Sequence, residues 1–295
     1  MEVMVKSEIH MHSTYSDGEF APVQLVEIAL KNGVSILSLT DHDTFRGVGE
    51  FVEAATAVGL SAFPGIEITT RYRDFTLHLL AYFKSPESIN PALMERVEEM
   101  TGAREKRMRE LIDRVNEVLP ERYLGSIEFE NVRKAAEGVL ARPHLAREMK
   151  RLGIVSSTQE AFDKYLVEYN VEKKNIDIQE AIAMIRASGG VPVLAHPGER
   201  AYSLYNPQKG RDYADVPEML AELKSFGLLG LECIYPYHEK IGKVEYYKQL
   251  ATDHDLIITG SRDFHGFTTY QHSRVFGTTR IDDTFFEQFK EAWPA

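Results

Sequence analysis

The chain has 295 residues, 34 basic against 45 acidic side chains, a formal net charge of −11, 43% hydrophobic content and one Cys. This composition excludes low-complexity disorder and a disulfide scaffold, and the acidic balance disfavours a grip on duplex DNA. No apolar run approaches the roughly 18–20 residues that span a bilayer, and the start lacks a basic segment followed by an apolar core, so a cytoplasmic protein of one large or two small domains is expected, with no membrane partner.

In chain order, residues 5–12 read as a strand. Pro22 opens an amphipathic helical pattern and Gly33 follows its end, the Pro-first, Gly-last placement of a helix. Residues 34–41 read as a second strand and 45–58 as a second helix. Residues 60–69 and 76–83 are strands with a short connection, so one hairpin is expected there. Further strands fall at 191–196, 228–235 and 256–263, with helical spacing at 178–187, 216–226, 244–254 and 284–293. Several strands are near-continuous apolar runs, as strands buried on both faces must be. Repeated strand–helix units imply a mainly parallel sheet or barrel. Between about residues 90 and 185 the strand signal vanishes into charged amphipathic helices. The expected organisation is therefore a body of residues 1–90 and 185–295 carrying an all-helical insertion at 91–184, whose charge run is a solvated face.

Chemistry gathers at the strand ends. His10 and His12, two residues apart, project to one side of a strand, ahead of Asp17 in a turn marked by Ser16 and Gly18. Asp41, His42 and Asp43 crowd three polar groups after a buried run. Capping of a helix near Phe45 by Asp43 or Thr44 accounts for one of them and leaves His42 unexplained. Glu67 lies inside an apolar run, where a lone carboxylate is costly unless paired or metal-bound. His78 is flanked by apolar residues, His196 ends the next strand, and Glu232 and His238 lie along and after the one beyond. Asp263 and His265 repeat the spacing of the first pair. In parallel strand–helix folds these ends converge on one face, where active sites are built. Acids and imidazoles meeting there unpaired would repel or stay poorly solvated, a conflict that two or three divalent cations remove. Imidazole and carboxylate without thiolate suit Mn, Fe or Zn in an open catalytic site. Cys233, inside an apolar run, reads as core.

The run His10-Met11-His12-Ser13-Thr14-Tyr15-Ser16-Asp17-Gly18 resembles the first motif of the PHP (polymerase and histidinol phosphatase) phosphoesterases. Thr40-Asp41-His42-Asp43, Pro64-Gly65-Ile66-Glu67, Ala195-His196-Pro197 and Arg262-Asp263-Phe264-His265 resemble the later motifs in order, so the similarity covers residues 7–275. The insertion's Ala141-Arg142-Pro143-His144 is similar to the subgroup that dephosphorylates nucleotides, some members of which trim short RNA from the 5′ end. The resemblance implies an α/β fold, a distorted (β/α)7 TIM-like barrel, with two or three divalent ions. It implies that His10, His12, Glu67 and Asp263 hold one ion, that Glu67 bridges to a second shared with His78 and His196, and that Asp17, His42 and His265 hold a third.

The expected enzyme is a metal-dependent hydrolase of phosphoric esters. A metal-bridged hydroxide would attack the phosphorus of a nucleotide monoester such as AMP or a 3′,5′-bisphosphate, with the ions neutralising charge on the phosphoryl oxygens. Asp17, His42 and His196 are the expected catalytic ligands, and His238 is expected to touch phosphate or protonate the leaving group. Arg142 and His144 are candidate phosphate clamps, since a guanidinium matches phosphate oxygens in pairs and Pro143 marks a helix start, which favours anions. Lys173 and Lys174 read as solvent-exposed, and His254 and His272 have no expected role. The alternatives are 5′-to-3′ cleavage of short RNA, a histidinol-phosphate-type phosphatase, and a metal-stabilised binding module, whose expected broken ligand set is not what this sequence has.

Overall fold

The computed structural model describes residues 5–134, 136, 140–171, 175–198, 202–268, 275–281 and 283–293. Lys173, Lys174 and His272 lie outside them. The chain runs β1 (Val5–Glu8), α1 (Pro22–Asn32), β2 (Ile36–Leu37), α2 (Val48–Ala57), β3 (Ser61–Ala62), β4 (Gly65–Tyr72) and β5 (Phe75–Tyr82). Helices α3 (Pro91–Val118), α4 (Phe129–Lys134), α5 (Arg142–Arg151) and α6 (Thr158–Ala161) follow. The remainder is β6 (Ile176–Asp177), α7 (Ile178–Ala187), β7 (Val191–Leu194), α8 (Val216–Ser225), β8 (Gly230–Ile234), α9 (Pro236–Lys240), α10 (Val244–Asp253), β9 (Ile257–Gly260), β10 (Arg280–Ile281) and α11 (Asp283–Ala292). Two units separate: Val97–Lys174, and Met1–Arg96 with Asn175–Ala295. No helix among the described residues is long and apolar enough to cross a membrane.

In the larger unit, β1, β2 and β3 are parallel, and β10 pairs antiparallel with β1. A second sheet has the order β6-β4-β5-β7-β8-β9. Its β4–β5 hairpin and β5–β7 pair are antiparallel, and its other pairs are parallel. Isolated parallel bridges join Met11 to Phe264 and His42 to Glu67. The Tyr82 hydroxyl donates to the Ile9 carbonyl at 2.9 Å. The architecture is an α/β fold with parallel-rich sheets.

Local chemistry explains these elements. Pro22 stands in the first turn of α1, and Gly33 closes that helix in the left-handed region at φ 66°, as the sequence implies. The ladder of β1 stops at Glu8, short of the expected residue 12, because the next amides turn elsewhere. Ile9 and His10 N–H donate to Ser261 Oγ, and His12 N–H donates to the Phe264 carbonyl. Helix α2 starts at Val48 rather than near Phe45, so Asp43 does not cap it. The two-residue β6, beside β4, falls where the sequence shows no strand signal.

One apolar layer packs Leu25, Val26 and Ala29 of α1 against Leu37, Phe51 and Phe264. Another holds Ile9, Phe63, Tyr82, Val191, Val193 and Phe289. The Val, Leu, Ile and Phe side chains among these contribute about 1.5–3 kcal/mol each when fully buried. The start of β4 lies so close to the residues after β2 that a Cβ on Gly65 would sit 2.4 Å from Ser38 Oγ, so only glycine fits the approach that brings Glu67 into position. The helical unit has its own core of Met108, Leu111, Val115, Leu145, Ala146, Met149 and Leu166, among others.

Candidate metal centre

The histidines and acids of the larger unit meet where the strands end. His10 and His12 face the same way, with ring centroids 5.3 Å apart. The turn that follows is tied by Ser16 and Gly18 N–H bonds to the Ser13 carbonyl. A Cβ on Gly18 would lie 2.0 Å from the His12 carbonyl oxygen, so glycine is required for the turn that returns Asp17 to the cluster. Asp43 N–H donates to the Glu67 carbonyl and Glu67 N–H to the Asp41 carbonyl, which sets His42 over Glu67.

Glu67 is the hub. Its Oε2 lies 3.3 Å from His10 Nε2, 3.3 Å from His12 Nε2 and 3.0 Å from His42 Nδ1. Its Oε1 lies 2.9 Å from His78 Nδ1 and 3.1 Å from His196 Nε2. Asp263 Oδ1 stands 3.2 Å from His10 Nε2 and 3.1 Å from His12 Nε2. Asp17 Oδ1 stands 3.3 Å from His265 Nε2. Three groups have ligand atoms close enough to share an ion: His10, His12, Glu67 and Asp263; His12, Asp17, His42 and His265; and His42, Glu67 and His78. His196 meets Glu67 beside these groups rather than within one.

The electrostatics show what the cluster lacks. Burial works against charging His12, yet Asp263 and Glu67 raise it to about 10. Burial pushes His42 down to about 3, with His12 and His78 adding to the fall. Burial opposes ionisation of Glu67 and Asp263, but the surrounding imidazoles hold both carboxyls well below their usual range. Protons alone thus leave some rings charged and others forced neutral within one buried cluster. Six of its buried atoms, His10 Nε2, His12 Nε2, Asp17 Oδ1, His42 Nδ1, Glu67 Oε2 and Asp263 Oδ1, have no hydrogen-bond partner. Orphaned lone pairs of this kind are costly, and divalent cations satisfy several at once. The donor set fits metal.

A layer beneath the cluster positions it; Glu232, Asp41 and Asp43 stand out in the sequence as polar groups near strand ends, but no sequence pattern shows what they brace, and Tyr235 reads as ordinary core. Buried Glu232 accepts from His10 Nδ1 at 2.9 Å and from the His196 backbone N–H at 2.8 Å. The first contact turns His10 Nε2 toward Glu67 and Asp263, and the second holds His196 at its strained φ of 26°. The Tyr235 hydroxyl donates to Asp263 Oδ2, leaving Oδ1 facing the histidines. Asp41 accepts from Ser13 N–H, Ser13 Oγ and Ser16 Oγ, which anchors the turn before Asp17. Asp43, at φ 49°, accepts from Thr69 N–H and Oγ1. The polar crowd at residues 41–43 is therefore two braces around one candidate ligand.

His238, expected to touch phosphate or protonate the leaving group, is held by backbone groups. It is fully buried, and both ring nitrogens are engaged: Nδ1 donates to the Cys233 carbonyl and Nε2 accepts from Gly198 N–H. Burial pushes it down to about 4, so it is a neutral brace under the loop after His196. In the helical unit, Arg142 donates to the Leu166 carbonyl at 3.2 Å and lies over the Phe162 ring. His144 is buried, and its Nδ1 accepts from Ala141 N–H at the start of α5. Cys233 is buried, and burial pushes its thiol up, out of the reactive range.

A family model described as the PHP domain matches residues 8–181. A Haemophilus influenzae protein named 5′-3′ exoribonuclease is 34% identical over 268 residues, 88% of this chain and 90% of its own. A Chromobacterium violaceum protein named 3′,5′-nucleoside bisphosphate phosphatase is 24% identical over 274 residues, 89% of this chain and 88% of its own. A solved structure of a candidate metal-dependent phosphoesterase from Bifidobacterium adolescentis superposes with a TM-score of 0.79 at 27% identity, covering 100% of this chain and 99% of its own. With the matched segment spanning more than half its length, this chain belongs to the PHP domain family.

Proposed function

We propose that this protein is a metal-dependent phosphoester hydrolase acting on nucleotide phosphates, with AMP or a 3′,5′-bisphosphate as the first substrates to test. The observation that carries the reading is the contact of five imidazoles with the single Glu67 carboxylate, ringed by orphaned lone pairs. His10, His12, Asp17, His42, Glu67, His78, His196, Asp263 and His265 are the proposed ligands of two or three ions of Mn, Fe or Zn. When bound, such ions supply Lewis acidity toward phosphoryl oxygens and make water acidic enough to attack near neutral pH.

The chain's own residues set direction and access. His10 and His12 are fully buried and Glu67 nearly so, whereas the Asp17 and His42 side chains are 27% and 19% exposed. Substrate therefore enters over Asp17 and His42, with Glu67 at the floor. His196, fixed through its backbone by Glu232, holds Glu67 Oε1 from below. In this reading Arg142 and His144 are candidate phosphate contacts. The same reading takes the bridged sheets as a distorted (β/α)7 barrel, residues 91–184 as its insertion, and the cytoplasm as its location.

A second reading, removal of nucleotides from the 5′ end of short RNA, is favoured by the 34%-identical relative of that name. The test is phosphate or nucleotide release from AMP, adenosine 3′,5′-bisphosphate, histidinol phosphate and a 5′-phosphorylated oligoribonucleotide. Release from the nucleotides supports the proposal. Turnover confined to histidinol phosphate would reject the nucleotide assignment.

A further inference from the structure

Among the described residues, two aromatic side chains are strongly exposed: Tyr202 at 42% and Phe267 at 45%. Both follow candidate ligands in the chain. Tyr202 comes in the loop after His196, and its ring stacks on His78 with centroids 4.3 Å apart and planes 14° apart. Phe267 comes two residues after His265 and meets Phe264 and Phe20 edge-on at 5.1 and 5.7 Å. Most large rings in the larger unit, such as Tyr82, Phe83 and Tyr235, are buried. Leaving these two in water forgoes favourable burial; Tyr202 lies on a candidate ligand, and Phe267 packs on Phe20, which follows the Asp17 turn, and on Phe264, which precedes His265.

The ligand under Tyr202 and the ligand two residues before Phe267 mark different ends of the cluster. His78 is grouped with His42 and Glu67, whereas His265 is grouped with His12, Asp17 and His42. His42 stands between, with its ring 4.9 Å from that of His78 and 6.1 Å from that of His265. A phosphate held over His42 and Asp17 thus has Tyr202 beyond His78 on one side and, on the other, the segment after His265 that carries Phe267.

We propose that Tyr202 and Phe267 are base-stacking platforms, one at each end of the cluster. The inference rests on the nucleotide reading above and narrows it. A short single-stranded oligonucleotide engages both rings, a mononucleotide one, and a sugar phosphate neither. Every base offers a π-face, so recognition is tolerant of sequence. Stacking on the rings adds to the charge-based hold on the phosphates, so part of the affinity persists as salt rises.

The test uses the metal-loaded protein with ribose 5-phosphate, AMP and a 5′-phosphorylated diribonucleotide. It adds a fluorescence titration with a diribonucleotide carrying 2-aminopurine, whose emission falls on stacking. Tyr202→Ala and Phe267→Ala should each raise KM for the diribonucleotide roughly 5- to 100-fold, with kcat changed less. One of the two should weaken AMP as well, and neither should alter ribose 5-phosphate. Tyr202→Phe and Phe267→Tyr should restore both KM and the quench. Unchanged KM and quench in both alanine variants would overturn the proposal, as would an equal loss on ribose 5-phosphate. If phosphate release fails on every substrate, the hydrolase reading falls, while the titration still decides whether the rings stack on bases.

Discussion

The strand-end cluster and the helical unit treat their polar groups in opposite ways. In the helical unit, guanidiniums end on local acceptors: Arg107 on the Val171 carbonyl and Asn170, Arg114 on the Asn170 carbonyl and Glu110, and Arg151 on both oxygens of Glu148. Its one orphaned buried side-chain atom among the described residues is a hydroxyl, Ser126 Oγ. In the cluster, carboxylate and imidazole atoms are buried together within ion-pair distance, and six have no hydrogen-bond partner. A fold satisfies polar atoms where stability alone is at stake and leaves them unsatisfied where a ligand completes the structure.

That contrast can be broken first at Glu67. Replacing it with Gln removes the charge that five imidazoles share, and turnover should fall by roughly a thousandfold or more, with bound metal lost. Wild-type rates in this variant would remove the hub. Glu232→Gln acts one layer down. The amide presents only one acceptor where His10 Nδ1 and His196 N–H need two, and metal affinity should fall about 10- to 100-fold in a metal titration. Equal affinity would show that Glu232 is merely packed there.

Acid sharpens the comparison further. The unfolded chain protonates His238 near 6.5, whereas the folded protein resists until about 4. The unfolded state therefore takes up the proton first as pH falls. The stability from keeping this ring neutral is intact above 6.5, drains between 6.5 and 4, and amounts to about 3 kcal/mol. The difference between wild-type and His238→Gln denaturation curves, followed from pH 7 to 4, should shrink by that order, and a constant difference would contradict the brace. In the helical unit the expected effect is one of packing alone. Leu145→Ala should cost about 2–5 kcal/mol in urea unfolding and leave the metal content of the folded protein unchanged. Metal loss in that variant would blur the division between the two regions.

The residues differ in how openly the sequence declares them. His10 and His12, and Asp263 and His265, are visible because a two-residue spacing puts both side chains of an extended segment on one side, even though both pairs lie just past the ends of β1 and β9. Pro22 and Gly33 frame α1 for equally local reasons. The β4–β5 hairpin follows from its short connection. Glu232, Tyr235 and Asp41 are harder to read, because their partners are 222, 28 and 28 residues away in sequence and no local pattern connects them. For His238 the sequence offers a phosphate contact or a proton donor, and only the fold reveals that both its nitrogens meet backbone groups. The two-residue strands β6 and β10 leave no periodic trace at all.

The most direct measurement is metal content per chain, by elemental analysis, set beside phosphate release from AMP and a 5′-phosphorylated oligoribonucleotide before and after chelation. The expected result is two or three divalent ions in the active protein, loss of turnover when they are stripped, and recovery when they return. Undiminished turnover in protein free of bound metal would contradict the central claim.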